Sequence, residues 1–288
     1  MPKLPPKLWK RIVRWTAIVM GLMILWAGVF LQRKTLKPLS DSLKSFQKRG
    51  IFPQEKKYLT ESGEIYSWYT PKGEKPTLLF IHGSPGDWTA WKKILLETPL
   101  AKHYQLVVID RPPYNLSRHS GGHLRDQSLA LRTLMEDLCH PCGVIGHSYG
   151  AALALQLAVD YPEQVSGILS IAGTVAAPYQ RARWYNRLAN TSVFETIIGP
   201  SFRASNREML FLADDLQALE KTFQNYPGKA VFIQGGADVL VPPETANYIS
   251  KLWPGALISF YPTKNHFLIW TDLDLIVQVI QKWMPLAD

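Results

Sequence analysis

Residues 143–161 read Gly-Val-Ile-Gly-His-Ser-Tyr-Gly-Ala-Ala-Leu-Ala-Leu-Gln-Leu-Ala-Val-Asp-Tyr. A short apolar run is followed by a serine set between two near glycines, and then by a stretch rich in Ala and Leu. The pattern predicts a buried strand over Gly143–Gly146, a tight turn at Ser148 and a helix over Tyr149–Tyr161. Gly146-His147-Ser148-Tyr149-Gly150 fits G-x-S-x-G. A serine on so tight a strand-to-helix turn needs small neighbours, because a Cβ at either flank would collide with the backbone. The turn lifts Oγ clear of the strand, and the helix N-terminus behind it favours developing negative charge.

Working outward from this turn, short apolar runs alternate with helical stretches from Tyr58 onward. Strands are predicted at Ile65–Tyr69, Thr77–Ile81, Gln105–Ile109, Gly143–Gly146, Val165–Ile171, Lys229–Gln234 and Ala256–Tyr261. Several are nearly continuous in Val, Ile, Leu and Phe, as strands covered on both faces should be. Helical patterns fall at Gln127–Leu138, Tyr149–Tyr161, Pro243–Leu252 and Leu273–Trp283. The alternation implies an α/β fold with a mostly parallel, doubly wound sheet between helices. Residues 174–227 carry no strand pattern and read as several short helices, a candidate cap inserted on the core.

A nucleophilic serine needs a base, and the base needs a carboxylate to hold its tautomer. Of the seven histidines, His266 stands directly after the last predicted strand, in Thr263-Lys264-Asn265-His266-Phe267. His82 and His147 lie inside turn motifs, His103, His119 and His123 read as loop residues, and His140 sits between two cysteines. Asp238 follows the strand Lys229–Gln234, 28 residues before His266. The other location for an acid, after Val165–Ile171, reads Ala172-Gly173-Thr174 and offers no carboxylate. Ile81-His82-Gly83-Ser84-Pro85-Gly86 follows another strand end, where a backbone N–H can face the nucleophile. The amides of Ser84 and Tyr149 are the candidate oxyanion donors. Trp88, Trp91, Tyr149 and Phe267 flank these motifs and are expected to shape the pocket, with Trp88 and Phe267 as substrate contacts.

With these motifs at strand ends, in the order Ser, Asp, His, residues 58–288 resemble the α/β-hydrolase superfamily. The resemblance implies acyl transfer through a covalent intermediate, with Ser148 as nucleophile, His266 as base and Asp238 as its partner. A serine at the elbow argues against the dehalogenase and epoxide-hydrolase branches, which are similar but use Asp there. One stretch departs from the pattern. Asp110-Arg111-Pro112-Pro113-Tyr114-Asn115-Leu116-Ser117 stands where relatives often carry D-R-P-G-x-G-x-S, so Pro113 and Asn115 replace glycines. A carboxylic-ester hydrolase is the expected activity. An acyltransferase or amide hydrolase would use the same three residues, and a non-catalytic tethered binding domain is the third class. No metal or organic cofactor is called for, since no H-E-x-x-H or spaced Cys/His set occurs.

The net charge of +9 does not signal nucleic acid. Residues 1–37 hold eight Lys/Arg and no acid, while the other 251 residues carry 24 basic and 23 acidic groups. Trp15 to Gln32 are 18 uncharged, mostly apolar residues. As a helix they span about 27 Å, close to the bilayer's hydrocarbon core. The reading is a basic tail (1–11), a transmembrane helix (12–32), a linker or amphipathic helix (33–57) and the hydrolase unit (58–288). Five basic residues precede the uncharged run Trp15–Gln32 and three follow it, which predicts a cytoplasmic N-terminus and an extracytoplasmic hydrolase unit, as in a bacterial inner membrane. An uncleaved anchor is favoured over a cleaved signal peptide, because small residues at a cleavage site are poorly represented.

Two features leave alternatives open. The cap region interleaves Tyr179, Trp184, Tyr185, Phe194, Phe202 and Phe211 with Arg181, Arg183, Arg187, Arg203 and Arg207. This suits either an acyl slot with basic groups for a lipid ester, or an ordinary cap with packed aromatics and solvated arginines; the second is favoured. Cys139-His140-Pro141-Cys142 ends a helix and begins a strand, the reverse of a redox motif's setting, so a local disulfide or a reduced pair is expected.

Overall fold

The computed structural model describes residues 44–284, except 62, 72–74, 98, 120, 192–193 and 195–197. The apolar segment 12–32, the tail before it and residues 33–43 therefore lie outside the described residues. Among the described residues no helix is long and apolar enough to cross a membrane.

Six strands run parallel in the order β4-β3-β6-β7-β8-β9. They are β3 (Thr77–Ile81), β4 (Gln105–Asp110), β6 (Cys142–His147), β7 (Val165–Ile171), β8 (Lys229–Gly235) and β9 (Leu257–Tyr261). On the β4 side, β2 (Gly63–Tyr69) and β1 (Gln54–Thr60) continue the sheet antiparallel, and the two-residue β5 (Arg118–His119) pairs with β2. Successive residues of a strand face opposite sides, and here both sides are apolar. Leu79, Ile81, Val107, Ile109, Val144 and Ile168 pack into one core layer. Leu78, Phe80, Leu106, Val108, Ile145 and Leu169 pack into the other. This is why the strands show continuous apolar runs instead of alternation.

The helices between strands are α1 (Lys92–Glu97), α2 (Leu100–His103), α3 (Leu124–Ala130), α4 (Arg132–Leu138) and α5 (Tyr149–Asp160). Beyond β7 come α6 (Trp184–Ala189), α7 (Pro200–Leu219), α8 (Glu244–Leu252), α9 (Leu268–Thr271) and α10 (Leu273–Trp283). Helix α5 is buried without a break from Tyr149 to Ala158, and its many alanines let it lie close on β6 and β7. Cys139 and Cys142 are disulfide-bonded, tying the end of α4 to the start of β6.

Three elements differ from the sequence expectation. Strand β1 begins inside the stretch 33–57 read as a linker. Its Gln54–Lys57 are exposed and only Tyr58 is buried, so this edge strand is held by backbone pairing to β2 without an apolar pattern. The single helix expected over 127–138 starts at Leu124 and is broken at Leu131. The 174–227 insertion contains one long helix, α7, where several short ones were expected. Only a narrow stripe of α7 is buried (Glu208, Leu212, Leu216, Leu219), and a charged residue heads it, which masks the helical periodicity.

Candidate active site

The strand β6 ends at His147, α5 begins at Tyr149, and Ser148 makes the turn with φ 54° and ψ −122°. A side chain in this region is strained by about 1–3 kcal/mol, and the surroundings over-determine it. The Ser148 N–H donates to the Ile171 carbonyl at 3.0 Å, and its carbonyl accepts from Ala151 (3.0 Å) and Thr174 (3.1 Å). Gly150 makes the turn possible. A Cβ there would collide with the carbonyl oxygens of Ile81 and His82. Gly150→Ala is expected to cost about 1–3 kcal/mol of stability, as overpacking of a dense site does. Thermal melting of the variant against the wild type checks this.

The loop after β3 borders the turn. An ideal Cβ on Gly83 would sit 3.1 Å from the Ser148 Cβ, so this loop passes directly against the serine, and Ser84 follows it. His82 is fully buried and shapes the loop. Its Nε2 accepts the Arg111 backbone N–H at 2.9 Å, which puts its proton on Nδ1, facing the Gly83 carbonyl at 2.8 Å. Burial, with the Arg111 charge second, holds its pKa well below the ordinary range, so it stays neutral.

The loops after β8 and β9 bring acid and base together. His266 Nδ1 donates to Asp238 Oδ2 at 2.8 Å, with both residues buried. The other Asp238 oxygen accepts the N–H groups of Leu240 and Val241, each at 2.8 Å. Burial alone would raise the Asp238 carboxyl. The His266 bond and these two amides outweigh it and hold the pKa below the ordinary carboxylate range. The two loops are stitched by Gly236 N–H to the Tyr261 carbonyl (2.8 Å) and Ala237 N–H to the Lys264 carbonyl (2.9 Å). His147, next to the serine, reaches the same loop. Its Nε2–H donates to the His266 carbonyl at 2.9 Å, and burial followed by the His266 charge lowers its pKa to about 3. Asp238 and His266 thus meet at the ends of β8 and β9, and His147, the neighbour of Ser148, ties the elbow to the backbone of His266.

The residues expected to line the pocket divide. Phe267 is half exposed, with its ring edge-on to His266 at 5.8 Å. Trp88 is instead a core residue, buried with its ring 5.3 Å from that of Trp68 and 6.1 Å from that of Phe46. Only its backbone faces the loops, its N–H donating to Asp110 Oδ1 at 2.9 Å. The apolar layer beneath the sheet takes the indole because it lies at the start of a 3-10 turn that packs there. Trp91 is likewise in the core, beside Phe80. The Tyr149 side chain points away from the serine, with its hydroxyl accepting from Gln127 at 3.1 Å.

That direction leads to a polar network hidden from sequence reading. Arg111 and Glu208 form a fully buried ion pair, Nη1 to Oε1, at 2.7 Å. The guanidinium also donates to the carbonyls of His82 (2.9 Å) and Gly83 (3.1 Å) and to Gln127 Oε1 (2.6 Å). The Tyr114 hydroxyl donates to Glu208 Oε2 at 2.6 Å and meets Ser84 Oγ at 2.9 Å. Ser84 Oγ in turn donates to Ser205 Oγ of α7 at 2.8 Å. The cap helix is therefore fastened to the loop that borders the serine. The departure at Asn115 is also resolved. Asn115 takes the positive φ (48°) a glycine would, and its amide donates to Asp110 Oδ2 at 2.8 Å. Among the described residues no three His, Cys, Asp or Glu side chains gather as metal ligands would.

The chain is 33% identical to epoxide hydrolase 1 of Caenorhabditis elegans over 163 residues, which are 54% of this chain and 39% of that protein. It is 25% identical to epoxide hydrolase 4 of Mus musculus over 237 residues, 73% of this chain and 64% of that protein. The chain thus spans less than two thirds of the length of these curated relatives. A solved structure of a membrane phospholipase A, described as a novel bacterial virulence factor, matches with a TM-score of 0.65 at 15% identity. The match covers 97% of this chain and 98% of that one, and it is a likeness of fold. Residues 78–287, from β3 through the last helix, match the model of the α/β hydrolase family. With that match, a parallel sheet carrying a serine elbow and a paired Asp and His at its strand ends, the chain belongs to the α/β hydrolase family.

Proposed function

We propose that this hydrolase cleaves carboxylic esters through an acyl-enzyme on Ser148, and that the segment 12–32 anchors it in a membrane with the hydrolase unit outside the cytoplasm. The observation that supports the chemistry is the buried 2.8 Å pair of His266 and Asp238, with the His266 backbone linked through His147 to the strained turn that carries Ser148. In the first step His266 Nε2 takes the Ser148 proton as Oγ bonds to the ester carbonyl carbon. The amides of Ser84 and Tyr149 receive the oxyanion, and Asp238 stabilises the imidazolium. Collapse breaks the bond to the alcohol, which leaves with the proton from His266. Water then attacks the acyl-enzyme with His266 as base, and the acid departs. Phe267, beside the base, serves as a wall for the acyl or alcohol group.

The kinship with epoxide hydrolases favours a second reading, in which the same site opens an epoxide. The serine weighs against it. A serine oxygen that opened an epoxide would form an ether, which a base and water do not cleave, whereas an acyl-serine ester is readily hydrolysed. An acyltransferase or amide hydrolase would share the first step with the ester reading and differ in acceptor or leaving group.

The test gives the full chain p-nitrophenyl esters of increasing chain length and, in parallel, styrene oxide. Ester turnover with no diol formation is the expected result, and the chain-length optimum sizes the acyl site. Diol formation without ester turnover, or failure of a fluorophosphonate to label Ser148 in folded protein, would overturn the ester reading.

A further inference from the structure

The face of α6 that looks away from the molecule carries three large apolar side chains. Trp184 is 76% exposed, Tyr185 50% and Leu188 43%. The opposite face is the one that holds the helix in place. Asn186 Nδ2 donates to Asn206 Oδ1 of α7 at 2.9 Å, and the Asn206 amide donates back to the Asn186 carbonyl at 2.9 Å. At 100° per residue, Trp184, Leu188 and Tyr185 fill one arc of about 100°, and Arg183 and Arg187 flank it on one side. Both arginines, and Arg181 just before them, are exposed. The stretch from Ala177 to Arg207 contains five arginines and a single acid, Glu195, before the buried Glu208. The sequence expectation of packed aromatics therefore does not hold for Trp184 and Tyr185, which among the described residues have only each other as ring neighbours, at 5.9 Å.

Single exposed apolar residues need no explanation, but a Trp, a Tyr and a Leu on one helix turn beside three arginines do. Tryptophan and tyrosine are the side chains that partition to the headgroup level of a bilayer, and arginines there gain from anionic lipid. A helix that pairs an apolar arc with a basic flank lies in the interface plane. A second copy of the chain fits less well. A two-fold contact places the same patch on itself, which sets Arg183 and Arg187 against their own equivalents.

We propose that this face of the cap docks on the surface of an anionic lipid bilayer, with Trp184, Tyr185 and Leu188 among the headgroups and Arg181, Arg183 and Arg187 on the lipid phosphates. The docking deepens the reading of a membrane-anchored ester hydrolase, because it brings the cap beside the site into contact with lipid esters.

The test uses the full chain, one copy per nanodisc, with Leu188→Cys carrying a bimane and brominated lipid as the quencher. Discs of phosphatidylcholine are compared with discs containing one-third phosphatidylglycerol. Quenching is expected to rise in the anionic discs and to fall again at high salt. The triple variant Arg181→Glu, Arg183→Glu, Arg187→Glu is expected to lower the docked population at least about ten-fold. Equal quenching in neutral and anionic discs, or no effect of the charge reversal, would overturn the proposal; a second copy or the chain's own N-terminal segment as the occupant would give that result. In parallel, Trp184→Ser with Leu188→Ser is expected to slow hydrolysis of bilayer esters while leaving a soluble p-nitrophenyl ester unaffected. If the wild type cleaves neither ester, the ester reading fails while the quenching still decides the docking.

Discussion

Ser148→Ala is expected to reduce kcat/KM for ester hydrolysis by roughly 10⁴- to 10⁶-fold, the scale on which removal of an activated nucleophile acts. The prediction follows from the way the turn is built. Ser148 is held by three backbone hydrogen bonds to β7, to α5 and to the loop after β7, none of which involves its hydroxyl. Deleting Oγ therefore leaves the turn and the His266–Asp238 pair in place. Steady-state kinetics on the best p-nitrophenyl ester read the loss, and a thermal melt unchanged within a few degrees shows that the fold survived. A variant that keeps more than about one-tenth of the activity would mean that the nucleophile lies elsewhere, since no remaining effect of the site explains so small a loss.

Glu208→Ala is expected to destabilise the protein by about 3–5 kcal/mol, because it leaves the Arg111 guanidinium buried without its counter-charge. Burial by itself lowers the pKa of Arg111, and the Glu208 carboxylate at 2.7 Å reverses that and holds the group charged. The side chains of Tyr114 and Gln127 would lose an acceptor at the same time. Urea unfolding followed by tryptophan fluorescence measures the effect. The double variant Arg111→Met with Glu208→Leu is expected to recover most of the loss, since it removes both charges instead of orphaning one. Activity should separate the two. Even a stable double variant has lost the donors from Arg111 to the His82 and Gly83 carbonyls, and with them the anchor of the loop that borders Ser148. A double variant as active as the wild type would remove this network from any role in positioning that loop.

Arg111 appears in the sequence only as part of the Asp110–Ser117 stretch, and Glu208 does not stand out at all. Glu208 lies 97 residues from Arg111, on a helix that mixes apolar and polar residues, and an isolated Glu between nearby arginines reads as a solvated charge. His82 and His147 were likewise visible only as occupants of their motifs. Each proves to be a neutral, buried link between two loops, one reaching Arg111 and the other the His266 carbonyl. Trp88 illustrates the opposite error. Its place beside the Ser84 loop suggests a pocket wall, but a one-residue difference in direction along a 3-10 turn sends an indole into the core or into a cleft, and sequence adjacency does not choose between them.

What the sequence by itself determined was the scaffold and the three residues at its strand ends. Both rest on local physics. Apolar runs of strand length separated by helical periods dictate a covered parallel sheet, and a serine flanked by small residues between a strand and a helix dictates the turn. The tertiary structure decided which side chains face the nucleophile, which face the core and which face solvent. It brought α7 onto the loop after β3, buried the Arg111–Glu208 pair, paired the pattern-poor β1 with β2, and left the apolar arc of α6 uncovered. These are contacts between residues far apart in the chain, and their free energy comes from desolvation and pairing at a distance that no local pattern encodes.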